Sequence, residues 1–219
     1  MKIIEPEVHL ERQDWGPLLQ RIELKGRVCY KSEDRINAIS ADAFIQALFN
    51  RGHLSVLEHS MVSVKFVVDR GVSHEIVRHR LAAYSQESTR YCNYGNSDDG
   101  LTLINPFFFD WDTYKYRYWL EAMQSAEKMY LYLLKAGASA QEARSVLPNS
   151  LKTEIWMTAN LREWLHFCLL RAAKTAHPQM RQVAIPLLLE LKRVLPPVFA
   201  GVGYDAEFKE EHYAVVLET

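Results

Sequence analysis

The densest chemistry in the chain lies in the run Arg78-His79-Arg80-Leu81-Ala82-Ala83-Tyr84-Ser85-Gln86-Glu87-Ser88-Thr89-Arg90-Tyr91. Three arginines, a histidine, two serines, a glutamine and a glutamate share it, and little of it has the character of core. Cations beside small hydroxyl and amide donors suit a phosphate or another anion. An apolar stretch, Val62 to Val68, stands just before the run, and a turn-rich stretch, Asn93 to Gly100, follows it. The expectation is a rigid strand that delivers a polar, cation-rich segment to a cleft or an interface.

Other residues could join this chemistry. Arg144 follows a Ser139 cap and precedes Leu147-Pro148. Arg171 stands between Leu169-Leu170 and Ala172-Ala173, an apolar setting in which a guanidinium needs a partner. Taken singly, each arginine reads as a solvated side chain or one paired to a carboxylate; taken together, the group from Arg78 to Arg90 reads as functional. Ser88 has Glu87 and Thr89 as neighbours and no Gly-x-Ser-x-Gly around it. It reads as a hydrogen-bond donor to a ligand rather than a nucleophile. Neither His53, Glu58 and His59 nor His74 with His79 has the spacing of a zinc site, so no metal is expected. His79, wedged between two arginines that disfavour its imidazolium, reads as a neutral ring that stacks on a planar ligand or accepts a proton. Asn160-Leu161-Arg162 with His166 has two readings that spacing leaves open: a cap followed by a solvent face, or a helix N-terminus offering donors to an anion or a heterocycle edge. There is no Gly-x-Gly-x-x-Gly and no phosphate-binding loop, so a dinucleotide would bind outside the Rossmann scheme.

The elements that must position these residues follow from periodicity and punctuation. A weak alternation makes Lys2 to Leu10 a first strand, and apolar spacing predicts a helix over Leu18 to Tyr30. Ser40 is expected to cap a helix from Ala41 to Asn50, stopped by Gly52. In the strand that follows, Val62, Val64, Phe66 and Val68 point one way and Met61, Ser63, Lys65 and Val67 the other. Ser73 then caps a short helix to about Arg80, on which Glu75 reaches Arg78 and His79. Arg78 and Arg80 face nearly opposite sides of such a helix, so contact from both sides would favour a site shared between subunits. Leu101 to Ile104 is a strand. Trp111 to Leu134 is a long aromatic helix, read as core or oligomer interface and closed by Gly137. Ser139 and Glu142 form a capping box. Leu151 to Thr158 is a strand, Asn160 with Glu163 starts a helix to about Ala173, and Pro178 opens a final helix to Val194 that Pro186 is expected to kink. The tail from Gly201 is polar and unassigned. The outline is a mixed α/β single domain over residues 1–219.

Composition bounds the rest. The chain has 219 residues, 48% of them hydrophobic, which supplies a substantial core. Its net charge of −1 excludes the global basic field that recruits nucleic acid non-specifically. Three scattered cysteines, Cys29, Cys92 and Cys168, fit a reducing compartment better than a disulfide framework. With no signal-peptide pattern and no long apolar run, a cytoplasmic protein is expected.

Arg78-His79-Arg80, seven residues, then Ser88 with Arg90-Tyr91 following, resembles the signature of the flavin-dependent thymidylate synthases. Gly52-His53 with Glu58-His59, then Arg144 before Leu147-Pro148, Asn160-Leu161-Arg162, His166 and Arg171, fall in that family's order, so the resemblance spans about Cys29 to Arg181. It implies a mostly antiparallel central sheet flanked by helices. It implies a homotetramer with FAD bound across subunits, dUMP as methyl acceptor, methylenetetrahydrofolate as one-carbon donor and NADPH as reductant. By that resemblance Ser55, Arg78, His79, Arg80, Gln86, Asn160, Arg162 and His166 would contact FAD. Glu75, Arg78, Gln86, Glu87, Ser88, Thr89, Arg90 and Arg144 would hold dUMP, and Arg171 would act catalytically at the uracil edge. The Arg78 to Arg90 cluster is then expected to border a cavity large enough for an isoalloxazine. The chain departs from the longer pattern at Ala83, Ser85, Gln86, Glu75 and Thr175, where Ser, Asn, Glu, Gln and His are common. A phosphodiester-binding or hydrolysing protein with His79 as base, and a helical interaction module with structural arginines, are the competing readings.

Overall fold

The computed structural model describes residues 1–96 and 100–219; part of the turn-rich Asn93 to Gly100 stretch therefore lies outside the described residues. In chain order the elements are β1 (Lys2–Ile4), β2 (Glu7–Leu10), α1 (Trp15–Arg27), α2 (Ser40–Asn50), a 3-10 segment (Leu54–His59), β3 (Met61–Asp69), α3 (Arg70–Ile76), β4 (Ala82–Gln86), β5 (Thr102–Ile104), α4 (Tyr114–Lys135), α5 (Ala140–Ala143), β6 (Lys152–Asn160), α6 (Leu161–Arg171), α7 (Pro178–Val194), α8 (Pro196–Phe199) and β7 (Val215–Glu218). Glu5-Pro6 splits the expected first strand into β1 and β2, because proline removes a ladder donor.

The main sheet runs β4-β6-β3-β2-β7, antiparallel except for the parallel β2–β7 pair. Alternation decides its two faces. Val62, Val64, Phe66 and Val68 of β3 lie opposite Ala159, Met157, Ile155 and Thr153 of β6, and all are buried. This face packs on α1, α2, α6 and α7 through Leu18, Ile22, Ile45, Trp164 and Leu188. Each such side chain contributes about 1.5–3 kcal/mol when fully buried. The opposite face is polar: Thr158 donates to Ser63 at 3.0 Å, and Lys65 and Lys152 both pair with Glu154. A second, smaller core joins β5, α4 and α5 through Leu103, Met123, Tyr130 and Ala143.

Several local expectations are corrected. Ser40 lies inside α2, whose N-cap is Ile39; its hydroxyl instead donates to the buried Glu23. Ser73 is not a cap either. Asp69, the last residue of β3, accepts from the Val72 N–H at 2.7 Å and opens α3, which ends at Ile76. Ser73 turns back to the Arg70 carbonyl. The aromatic helix begins at Tyr114 under a Thr113 cap rather than at Trp111; Tyr130 is core, while Tyr114, Tyr118 and Tyr132 are exposed. Residues 82–86, read as a polar run, form the edge strand β4, and the tail carries β7 at the other edge. The capping box at Ser139 and Glu142 and the Pro178 start of α7 are as expected, and α7 runs through Pro186.

Candidate active site

The centre of the site is His79, 4% exposed, in the turn between α3 and β4. Tyr84 fixes that turn by placing its hydroxyl against the carbonyl oxygens of Ile76 and His79, at 2.9 and 2.6 Å. Burial, with Glu163 as the next cause, pushes the Tyr84 hydroxyl up to about 12, so it stays a donor. The His79 ring lies 4.9 Å from Phe167 and 5.4 Å from His166, centroid to centroid. Nδ1 is 2.9 Å from a Glu163 carboxylate oxygen, and Nε2 is 3.0 Å from Nε of Arg171. An arginine Nε–H is always a donor and never an acceptor. Nε2 must therefore carry a lone pair, and the ring is neutral with its proton on Nδ1, donated to Glu163. Burial, and after it Arg171 and His166, hold the imidazole below its ordinary value against the opposing pull of Glu163. The neutral ring expected from the flanking arginines is found, but the cause is burial and Arg171; Arg78 and Arg80 point to open surface.

Arg171 closes the last turn of α6. Besides its bond to His79 it donates to the Glu75 carboxylate at 2.8 Å and to the Glu75 carbonyl oxygen at 3.0 Å. This is the partner its apolar sequence setting required. Three of five guanidinium N–H groups are engaged, which leaves two for a ligand. Glu75 thus serves Arg171, not Arg78 and His79 as expected, because α3 ends before an i, i+4 contact can form. His79, Glu163 and His166 also lie close enough to hold a metal. Both nitrogens of His79 are already bonded, however, and the Arg171 guanidinium opposes a cation there.

The other half of the signature lies at the far end of β4. Gln86 turns its amide nitrogen inward to Ser73 and Thr153. Glu87 accepts from Lys152 at 3.0 Å and from the Tyr94 hydroxyl at 2.8 Å. The Ser88 hydroxyl oxygen accepts from the Arg90 N–H at 3.3 Å, and Arg144 donates to Thr89 at 3.3 Å. Arg90 is exposed and lies over Tyr91. A third patch forms at the start of α6. Asn160 caps the helix by accepting from the Glu163 N–H at 2.9 Å, Arg162 pairs with Glu58, and Ser55 is exposed on the neighbouring 3-10 segment.

One chain thus groups His79, Arg171, Glu75 and His166, and separately groups Glu87, Ser88, Thr89, Arg90 and Arg144. The five residues of β4 alone set these groups apart by roughly 13 Å at about 3.3 Å per residue. Arg78, Arg80 and Arg90, which flank the edge strand β4, are all exposed on open surface rather than lining an enclosed cavity. A recess of about 440 Å³ is lined by Ser85, Gln86, Glu87, Lys152 and Trp156 on the polar face. A larger cleft of about 830 Å³, lined by Glu5, Phe107, Trp111 and His212, lies elsewhere. Sequence reading missed Glu163, Tyr84 and Lys152 as site residues. For Glu163 the signal present, a carboxylate three residues after an N-cap, pointed to a capping box instead.

The family model described as "Thymidylate synthase complementing protein" matches residues 16–197. The flavin-dependent thymidylate synthase of Geobacter sulfurreducens is 34% identical over 189 residues, covering 83% of this chain and 81% of its own. That of Mycobacterium tuberculosis H37Rv is 35% identical over 205 residues, covering 85% and 80%. A crystal structure of the UMP/dUMP methylase PolB from Streptomyces cacaoi bound with 5-Br dUMP superposes with a TM-score of 0.75 over 91% of this chain and 96% of that one. At 19% identity that likeness speaks for the fold alone. The family model and the curated relatives place the chain among methyltransferases that use a flavin. The chain belongs to the flavin-dependent thymidylate synthases, which methylate dUMP reductively with FAD, methylenetetrahydrofolate and NADPH.

Proposed function

We propose that this chain makes dTMP in active sites assembled between subunits of a homotetramer, with the half-site around His79 and Arg171 of one subunit completed by the half-site around Ser88 and Arg90 of another. The observation that carries this reading is the separation of the two halves of the signature along β4. Each end by itself offers only part of what a nucleotide needs, donors for the base at one end and a phosphate clamp at the other. Exposed apolar side chains next to the cations, Val77 and Leu81 on one side and Leu169 and Leu170 at the end of α6, supply surface for a second subunit.

The residues fit a flavin dinucleotide. The guanidinium groups of Arg78 and Arg80 are exposed and have no hydrogen-bond or ion-pair partner among the described residues, so both are free to take up phosphate charge. His166 and Leu170 offer an aromatic and apolar surface beside them. Ser55, Asn160 and Arg162, grouped where α6 begins, would extend the contact along the cofactor. FAD, when bound and reduced, supplies hydride chemistry that removes the need for an enzyme nucleophile.

The chain's own groups bind and polarise. Ser88, Thr89, Arg90 and Arg144 would clamp the nucleotide phosphate, with Glu87 held in place by Lys152 and Tyr94. Gln86 reaches substrate or cofactor only through its carbonyl oxygen, since its amide nitrogen is turned inward. Arg171 would place its two remaining N–H groups at the uracil edge and stabilise negative charge developing on the ring, where a water-poor setting makes such donors effective. Neither Ser88 nor Cys168 is set up to attack. Ser88 has no base within hydrogen-bond reach among the described residues, and burial pushes the Cys168 thiol far above its ordinary value. Purified protein should be yellow or become so with FAD, and should release tritium from ring-labelled dUMP. Colourless protein that takes up no FAD and releases no tritium refutes the reading.

A further inference from the structure

The Glu163 carboxylate is 6% exposed and reaches away from its own helix end. At the third position of α6 a glutamate ordinarily turns back to the N-cap backbone N–H. Here only half of that box forms: Asn160 accepts from the Glu163 backbone, while the Glu163 side chain crosses to His79 Nδ1. A buried carboxylate is costly to desolvate, and here the His79 Nδ1–H is the partner that compensates it. Its position makes sense through what it does to the ring. With the proton held on Nδ1, Nε2 is a permanent acceptor for Arg171.

We propose that Glu163 is a positioning residue for the synthase reaction, which sets the His79 tautomer and thereby fixes the Arg171 guanidinium with two N–H groups turned toward the substrate. This rests on the reading that Arg171 acts at the uracil. The groups facing His79 are Glu163 and His166 from α6, Arg171 at its end, and Tyr84 from β4, with Glu75 of α3 behind Arg171. Without Glu163 nothing among these accepts the Nδ1 proton. Only the Arg171 Nε–H then still opposes the other tautomer, which gives Nδ1 no unpaired proton but whose Nε2–H meets the Arg171 Nε–H donor to donor. Arg171 would swing from its place while Glu75 still held part of it.

The test is a cycle of Glu163→Ala, Arg171→Ala and the double variant on the FAD-loaded enzyme, with 15N spectra of the His79 ring. Glu163→Ala is expected to lower kcat about 10- to 100-fold with less than threefold change in the dUMP KM, and to move the ring proton from Nδ1 to Nε2. Glu163→Gln, whose amide oxygen still accepts from Nδ1, should restore most of the loss and keep the tautomer. The double variant should be no slower than Arg171→Ala alone, since both act through one group. A normal kcat in Glu163→Ala, an unchanged tautomer, or losses that multiply in the double variant would overturn the inference. Normal turnover of Arg171→Ala would instead overturn the reading of Arg171 beneath it. Should Glu163→Ala not fold, Glu163→Asp, one methylene too short to reach the ring, carries the same expectations.

Discussion

Arg171 illustrates how one side chain is prepared for chemistry. A guanidinium at the end of an amphipathic helix would normally swing in solvent, but His79 takes Nε–H and Glu75 takes one hydrogen from each terminal nitrogen. The orientation is set before any ligand arrives, so little ordering remains to be done in the transition state. Arg171→Ala should keep the fold and the FAD content and reduce kcat by about 10²–10³, the usual cost of one preorganised donor; absorbance at the flavin band and steady-state rates decide it. Ser88 tests the opposite end. Ser88→Ala should weaken dUMP binding by about 10- to 100-fold, in line with about 1.5–3 kcal/mol for a hydrogen bond to a charged group. No covalent adduct should be trapped at that serine in the parent enzyme, and mass spectrometry of quenched reactions would detect one.

At the scale of elements, β4 and β6 organise the site. β6 carries Lys152 at one end, which steadies Glu87, and Asn160 at the other, which caps α6. Between them Glu154 accepts from Lys152 and Lys65 on the polar face. The Lys152 hydrogen bond, the largest cause, holds the Glu154 carboxyl below its ordinary 4.5. The folded state therefore binds its proton more weakly than the unfolded chain does. The resulting stabilisation is fully present above pH 4.5 and disappears as pH falls through the lower folded value. Glu154→Gln should be less stable than the parent at pH 7, and urea denaturation should show the gap closing as the pH is taken below that range. A gap independent of pH would mean that the carboxylate contributes through packing alone.

At the scale of the molecule, the assembly proposed above can be tested at the edge strand β4. The fold buries one face of its sheet and leaves its cation-rich edge open, together with Leu81, 72% exposed. Such a side chain beside unpaired arginines is an unfinished surface in one chain and a reasonable interface in several. Leu81→Asp should shift the species seen by light scattering to a smaller size and lower FAD occupancy with it. Full occupancy in a smaller species would place the cofactor within one subunit.

Residue identity and spacing were enough to mark Arg78 to Arg90, Arg144, Asn160 and Arg171, to assign the family, and to find β3, β6, α6 and α7. These rest on local rules: alternation, caps and helix-starting proline act over a few residues. Tertiary structure alone decided what each charge does. Only the antiparallel return of β4 against β6, and the packing of α6 under the α3–β4 turn, bring Glu163, His79, Arg171 and Glu75 into one line from positions 75 to 171. The same return sends Ser88 and Arg90 to the opposite end, although they are near neighbours of Arg78 in the chain. Sequence distance is measured along the backbone, whereas hydrogen bonds and Coulomb forces act through space, and an extended strand makes the two disagree most.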